Sequence, residues 1–231
     1  MLRLLAVIKG DIRFQWKYGF YYMYLFLMIL YLGILSLLSG SGKEIVGHIM
    51  VYSDPAAMGM FFMGAIVLLE KSQRVLNSIA VSPVSPMEYI GGKMCSIGII
   101  SLLVGMVLLI PVGMEHIVLA VWSIVSASFV FTLCGIIVGT KIHSLTGYIV
   151  GTLPFEIAGF LPPIAKRLGW AGDSAWILLH PGCAQMQLLE GNTQYLAVSL
   201  ISTVAWVIIL LFAAKHCVTK MFQSVGGGNE S

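Results

Sequence analysis

Charge is what this sequence has least of. Asp, Glu, Lys and Arg make up 10% of its 231 residues, where a soluble globular domain carries about a quarter. Hydrophobic residues reach 58%. A chain so composed cannot cover a water-facing surface, which points to an integral membrane protein. Cysteine is scarce as well. Cys95, Cys134, Cys183 and Cys217 are scattered without C-x-x-C spacing, which excludes a zinc ribbon or a disulfide framework and leaves free thiols. His48, His116 and His180 have no partner at metal-ligand spacing, so no metal site is expected. No Ser-His-Asp or H-E-x-x-H arrangement is present, which argues against a membrane enzyme. A phosphate loop is missing too. The G-S-G-K beginning at Gly40 would need a Gly five residues before its final Gly and Ser or Thr after its Lys; those places hold Leu37 and Glu44. No ATP site is therefore expected in this chain. The net charge of +3 concerns orientation in a membrane, not nucleic acid.

What the sequence has is apolar runs. Phe20 to Leu38 is nineteen residues without a charge, about the 20 that cross a bilayer. Tyr18, Tyr21, Tyr22 and Tyr24 form an aromatic belt at its start. Further spans are predicted over 49–69, 94–111, 117–140, 144–165 and 195–214. Ser39 to His48 reads as a short outside loop, and 166–191 as a longer outside segment with Pro181 and several Gly. The tail 215–231 ends V-G-G-G-N-E-S and reads as disordered. Six spans put both termini on one side and leave no room for a soluble domain.

Residues 2–17 read as a basic amphipathic helix lying in the headgroup plane. Leu4, Leu5, Ile8, Ile12 and Trp16 share one face of the wheel. Arg3, Lys9, Arg13 and Lys17 share the other, and Asp11 and Gln15 spoil the pattern. The alternative, the n-region of a signal peptide, fails because the following apolar run is too long and lacks a cleavage site. With the termini inside, ten of the thirteen Lys and Arg face the cytoplasm and three (Lys43, Lys166, Arg167) face outward. Positive charge collects on the cytoplasmic side, so cytoplasmic termini and the plasma membrane are expected.

The polar interval 70–93 carries Lys71, Arg74 and Lys93. Val75, Leu76 and Ile79 fall on one face of a short helix over 70–80. Ser82-Pro83 and Ser85-Pro86 end it. Ser85 and Glu88 then form the S-x-x-E of a capping box that starts the next helix. Helix, rigid break and fresh helix make a stiff knob; a flexible loop would be rich in Gly and Ser.

This segment resembles the cytoplasmic segment of ABC-2 type export permeases, which runs roughly E-R-E-x-G-T-L-E-x-L-L-x-T-P-x-S, then an aromatic or Leu, then G-K. Glu70, Lys71 (for Arg), Leu76, Ile79, Ser82 (for Thr), Pro83, Ser85, Tyr89, Gly92 and Lys93 match. Ser72, Arg74, Val75 and Asn77 depart from its Glu, Gly, Thr and Glu. The resemblance implies an all-α, six-helix ABC-2 (type V exporter-like) fold with an N-terminal interfacial helix. It also implies that 70–93 is a coupling helix docking on a separate ATPase subunit. Glu70 and Arg74 would be its polar anchors, Val75, Leu76 and Ile79 the apolar face in the ATPase groove, and Ser82, Pro83, Pro86 and Glu88 its rigid frame. ATP and Mg would be bound by that partner, and two copies, or this chain and a homologous one, would enclose the path. Gly159, Pro162, Pro163 and His180-Pro181 fall where the family folds a re-entrant hairpin into the outer leaflet. Small permeases of this type export drugs, peptides or other amphiphiles, and some are fluoroquinolone export permeases.

Asp54 and Glu156 are the acids at membrane depth, where a charge is costly. Glu156, midway along its span, reads equally as a path-lining acid or as one hydrogen-bonded inside the bundle. Asp54 is expected near the outer interface, solvated. Gly135-x-x-x-Gly139 and Gly147-x-x-x-Gly151 permit close helix packing. The thirteen methionines, Met58, Met60 and Met63 among them, read as core and lipid-facing filler. The competing function is a stand-alone secondary transporter or channel without an ATPase partner. That reading requires coupling charges or internal repeats, of which only the two acids are visible.

Overall fold

The computed structural model describes residues 2–80, 82–170, 172 and 174–226. Among them the chain is helical, with no strand. Helix α1 (Leu2–Lys17) leads through Gly19, in the left-handed region at φ 78°, into α2 (Phe20–Leu37). Then α3 (Gly40–Ala57), a π-helical turn (Met58–Phe62) and α4 (Met63–Ser72) form one continuous rod. Short α5 (Val75–Ala80) precedes α6 (Pro86–Leu109), α7 (Ile117–Lys141) and α8 (Leu145–Arg167). A 3-10 turn (Ile177–Leu179) opens α9 (Pro181–Leu189), and α10 (Leu196–Gly226) closes the fold. Six of these rods are long and apolar enough to cross a membrane: α2, α3 to α4, α6, α7, α8 and α10. The chain is a multi-pass membrane protein.

Two layers follow from burial. The rods α3–α4, α6 and α7 are the inner set, and α2, α8 and α10 the outer one. Tyr22, Phe26, Ile29 and Leu37 of α2, and Val150, Ile157 and Leu161 of α8, are exposed, an apolar surface that suits lipid or another membrane chain. Arg3 reaches the Pro83 carbonyl, and Phe222 packs its ring 5.5 Å from that of Tyr89. The first and last helices thus both reach the 83–89 stretch at one end of the bundle.

Two expected boundaries are corrected. Residues 40–48 are not a loop but the opening turns of α3, because their polar side chains have partners. Arg167, at the end of α8, reaches Glu44 at 3.1 Å, the His48 ring at 3.2 Å and Glu190 at 3.3 Å. The segment 215–226 is not disordered: α10 runs through it, with Ala214, Val218 and Met221 buried. Residues 227–231 lie outside the described ones. The segment 166–191 returns into the bundle as α9, whose residues 182–189 are all buried among α3, α7, α8 and α10.

Glycines set the closest approach. A Cβ on Gly135 would stand 2.6 Å from the Gly59 carbonyl oxygen, so α7 and the π turn touch backbone to backbone. Gly139 lies one turn on, against Val67, while Gly147 and Gly151 face the α7–α8 turn at Ile142. The π turn misaligns the helical ladder, and Tyr148 donates its hydroxyl to the Met60 carbonyl there. Replacing Gly135 by Ala should therefore destabilise the purified protein by about 1–3 kcal/mol, the usual cost of overpacking. Gly33→Ala, at a site with nothing within 4 Å, should not lower stability. Thermal unfolding in detergent of the two variants checks this.

Candidate functional site

The segment 70–93 is built much as its residues dictate. Ser85 Oγ accepts from the Glu88 amide at 3.2 Å, and Glu88 Oε2 accepts from the Ser85 amide at 2.8 Å. This capping box starts α6, with Pro86 at its first turn, where its missing N–H costs nothing. Ser82 closes α5 by donating to the Ile79 carbonyl at 2.7 Å. Val81 lies outside the described residues, as do the side chains of Asn77 and Ser78.

Behind the segment is a buried charge cluster. Lys93 is 0% exposed. Its ammonium donates to Asp11 Oδ1 of α1 at 2.7 Å and to Glu70 Oε1 of α4. Tyr89 donates to the other Glu70 oxygen at 2.7 Å. Beside them Gln15 donates to Ser96 at 3.1 Å. Burial pushes the Asp11 carboxyl above its ordinary range, and the adjacent Lys93 pulls it back. The helices can come this close because of Gly92, whose Cβ would stand 2.4 Å from Val7. Asp11 and Gln15, the two residues that spoil the amphipathic pattern of α1, are its buried inner face. Its exposed face carries Leu5, Ile12 and Trp16.

A second linkage ties the segment to α7. Lys71 Nζ donates to three carbonyls at the end of that helix, Gly139 at 2.8 Å, Thr140 at 2.9 Å and Ile142 at 2.8 Å. A helix C-terminus leaves its last carbonyls without amide donors and carries partial negative charge, so an ammonium there answers both.

These contacts revise the expected roles. Glu70 is 3% exposed with both carboxyl oxygens engaged, so within the chain it anchors the cluster. Leu76 is 1% exposed, and Val75 and Ile79 are partly buried, with Ile79 packed on the core. The apolar face of α5 is covered within the chain, because α10 extends far enough to reach it. Lys93 is not a surface charge. The exposed rim is Ser72, Gln73, Arg74, Pro83, Ser85 and Met87. Arg74 sits at φ 55°, the left-handed region where the resembling family has Gly.

The membrane acids stand apart. Asp54 is 1% exposed, not solvated, and neither carboxyl oxygen has a hydrogen-bond partner among the described residues. It lies midway along the α3–α4 rod rather than at its outer end, since the helix begins nine residues earlier than expected. The Tyr24 hydroxyl is within electrostatic reach but is not bonded to it. Glu156, on α8, is half-buried with one oxygen unpartnered, nearer Tyr148. The two acids keep different company, and neither joins the 70–93 cluster.

A buried lysine thus bridges α1, α4 and α6 beneath the 70–93 segment. The family profile of fluoroquinolones export permease proteins matches residues 2–225. The chain belongs to this family. Similar relatives are the fluoroquinolones export permease proteins of two Mycobacterium tuberculosis strains, CDC 1551 / Oshkosh and ATCC 25618 / H37Rv. Each is 27% identical over 107 residues, 46% of this chain and 45% of the relative. The match thus spans under half the length of the curated relatives. The resemblance read from 70–93 therefore lands in an export-permease family whose profile extends over nearly the whole chain.

Two outcomes are expected. Lys93→Met strands two buried carboxylates and should cost about 3–5 kcal/mol, as breaking a buried pair does. Neutralising all three charges (Asp11→Asn, Glu70→Gln, Lys93→Met) should recover most of that loss in thermal unfolding. Arg74→Gly should stabilise, by about 1 kcal/mol, through relief of the left-handed backbone, read in the same assay.

Proposed function

We propose that this chain is the membrane-spanning permease of an ATP-driven exporter of ABC-2 type. It sits in the plasma membrane with both termini cytoplasmic, forms its path as a dimer, and is driven by a separate ATPase subunit that binds ATP and Mg. The cargo is an amphiphilic drug of the kind named for its relatives. The observation that carries this reading is the Asp11–Lys93–Glu70–Tyr89 cluster, which fastens the 70–93 segment to α1, α4 and α6. Lys71 fastens it to α7. A push on such a segment does not dissipate in a loop; it displaces helices.

The docking surface is the exposed rim around Gln73, Arg74, Pro83 and Met87, with Arg74 as its charged anchor. When the ATPase closes on ATP, the rim moves, and α4, α6 and α7 tilt with it. The outer face of α1, with Leu5, Ile12 and Trp16 among Lys9, Arg13 and Lys17, rests in the headgroups and serves as the pivot. A second copy packs against the exposed apolar faces of α2 and α8, and Glu156, half-buried on α8, lines the path between copies.

One observation favours a second reading, a stand-alone secondary transporter: Asp54 is a buried carboxyl with no hydrogen-bond partner among the described residues, as a proton carrier would be. Proteoliposomes of the purified chain under an imposed pH gradient decide this. Gradient-driven uptake without any ATPase supports the second reading.

Under the exporter reading, Arg74→Glu should abolish copurification of the ATPase from native membranes and leave thermal stability unchanged or within about 0.5 kcal/mol, as surface substitutions do. Retained copurification would remove Arg74 from the interface. Glu156→Gln should change substrate-stimulated ATPase activity of the assembled complex; wild-type activity would make Glu156 structural.

A further inference from the structure

Helix α8 contains Pro162 and Pro163. Proline has no N–H, so the carbonyls four residues earlier, on Ala158 and Gly159, lose their helical donors. In a membrane each such group needs another partner. Tyr52 of α3 donates to the Gly159 carbonyl at 2.9 Å, and the His180 ring faces the Ala158 carbonyl. The two groups draw α3 and the start of α9 against the proline-broken stretch of α8.

Between these helices, α7 and α10 lies a cavity of about 340 Å³. Small-molecule sites run from about 300 to 1,000 Å³. Its walls are aromatic: Tyr52, Phe131, Phe155 and Trp206. Phe155 and Trp206 are 40% and 37% exposed, which places the mouth on the lipid-facing side between α8 and α10. Inside stands Gln185 of α9, 0% exposed, with neither amide atom hydrogen-bonded to any described residue. His180 Nδ1, also on the lining, is likewise unpartnered. A buried amide left unsatisfied is costly, and a ligand that satisfies it recovers that cost.

We propose that this cavity, walled by Tyr52, Phe131, Phe155 and Trp206 and presenting the unpartnered Gln185 amide, binds a planar aromatic amphiphile bearing a carboxyl or carbonyl group. Flat walls select a flat ring. The amide offers a donor at Nε2 and an acceptor at Oε1, which a carboxylic acid meets in both directions. No carboxylate lines the cavity among the described residues, so a cationic end stays outside, in the headgroup region or water. As the cargo site of the permease, it rests on the exporter reading.

The test is equilibrium dialysis of radiolabelled norfloxacin, a fused-ring aromatic carboxylic acid, against the full-length protein in detergent, with ATPase copurification scored on the same membranes. Wild type should bind saturably. Gln185→Leu should weaken binding about tenfold, the worth of a good hydrogen bond, without lowering the unfolding temperature, because the substitution removes an orphaned amide. Ala158→Trp, at an exposed position on the cavity rim, should abolish saturable binding. Should Gln185→Leu fail to fold, Ala158→Trp alone decides. The proposal is overturned if wild type shows no saturable binding, or if the folded variants bind as wild type does. Saturable, variant-sensitive binding without a copurifying ATPase would uphold the site and sink the exporter reading; the converse would do the opposite.

Discussion

The structure depends on one lysine that has been taken out of water. Burying an ammonium costs several kcal/mol, and only close, well-aligned opposite charges offset it. Lys93 has two, one on α1 and one on α4, and Glu70 is itself held by Tyr89. The cluster contains two acids and one base, so no pairing satisfies it unless all three helices are present. If α1 leaves, Asp11 goes and Gln15 abandons Ser96. If α4 shifts, both Lys93 and Tyr89 lose an acceptor. Such an arrangement adds little net stability over an apolar core of equal volume. What it adds is a penalty on every geometry but one, and that makes α1, α4 and α6 behave as one body.

The same logic recurs wherever the backbone ladder is interrupted at membrane depth. Lipid offers no hydrogen bonds, and several of the interruptions are met by a side-chain donor. The π turn's Met60 carbonyl has Tyr148, the Gly159 carbonyl freed by Pro163 has Tyr52, and the last carbonyls of α7 have Lys71. Each donor comes from a different rod than its acceptor. Breaks in single helices are therefore what fastens the helices to one another, and the fold is pinned where it is least regular.

Most of the helices were legible from composition. Apolar runs place six spans because a bilayer tolerates little else, and the capping box of Ser85 and Glu88 is a local signal that the structure retains. Errors fell where a polar residue had a distant partner. Glu44 and His48 looked like loop residues because Arg167 lies over a hundred positions away. Asp11 and Gln15 looked like blemishes on an amphipathic helix when they were its inner face. Glu70 and Lys93 matched a docking motif, and a motif does not say which of its members point inward. Leu76 has the right face for a groove, but the covering helix is α10, whose last turns looked like a disordered tail. Gln185 gave no signal at all: an isolated amide in an apolar stretch is marked only by the cavity around it.

The charge cluster and the aromatic cavity lie at opposite ends of a continuous set of contacts. Lys71 holds the end of α7, and one to two turns further in, Gly135 touches Gly59 backbone to backbone. Phe131 and Cys134 of that same stretch of α7 line the cavity, as does Tyr52 of α3. Tyr52 also holds the broken α8. A close-packed interface does not absorb small displacements, so a tilt of α4 against α7 must reach Phe131 and Tyr52. Those are two of the four aromatic walls. Under the proposed exporter function, the parts that an ATPase would move are the parts that would grip the cargo.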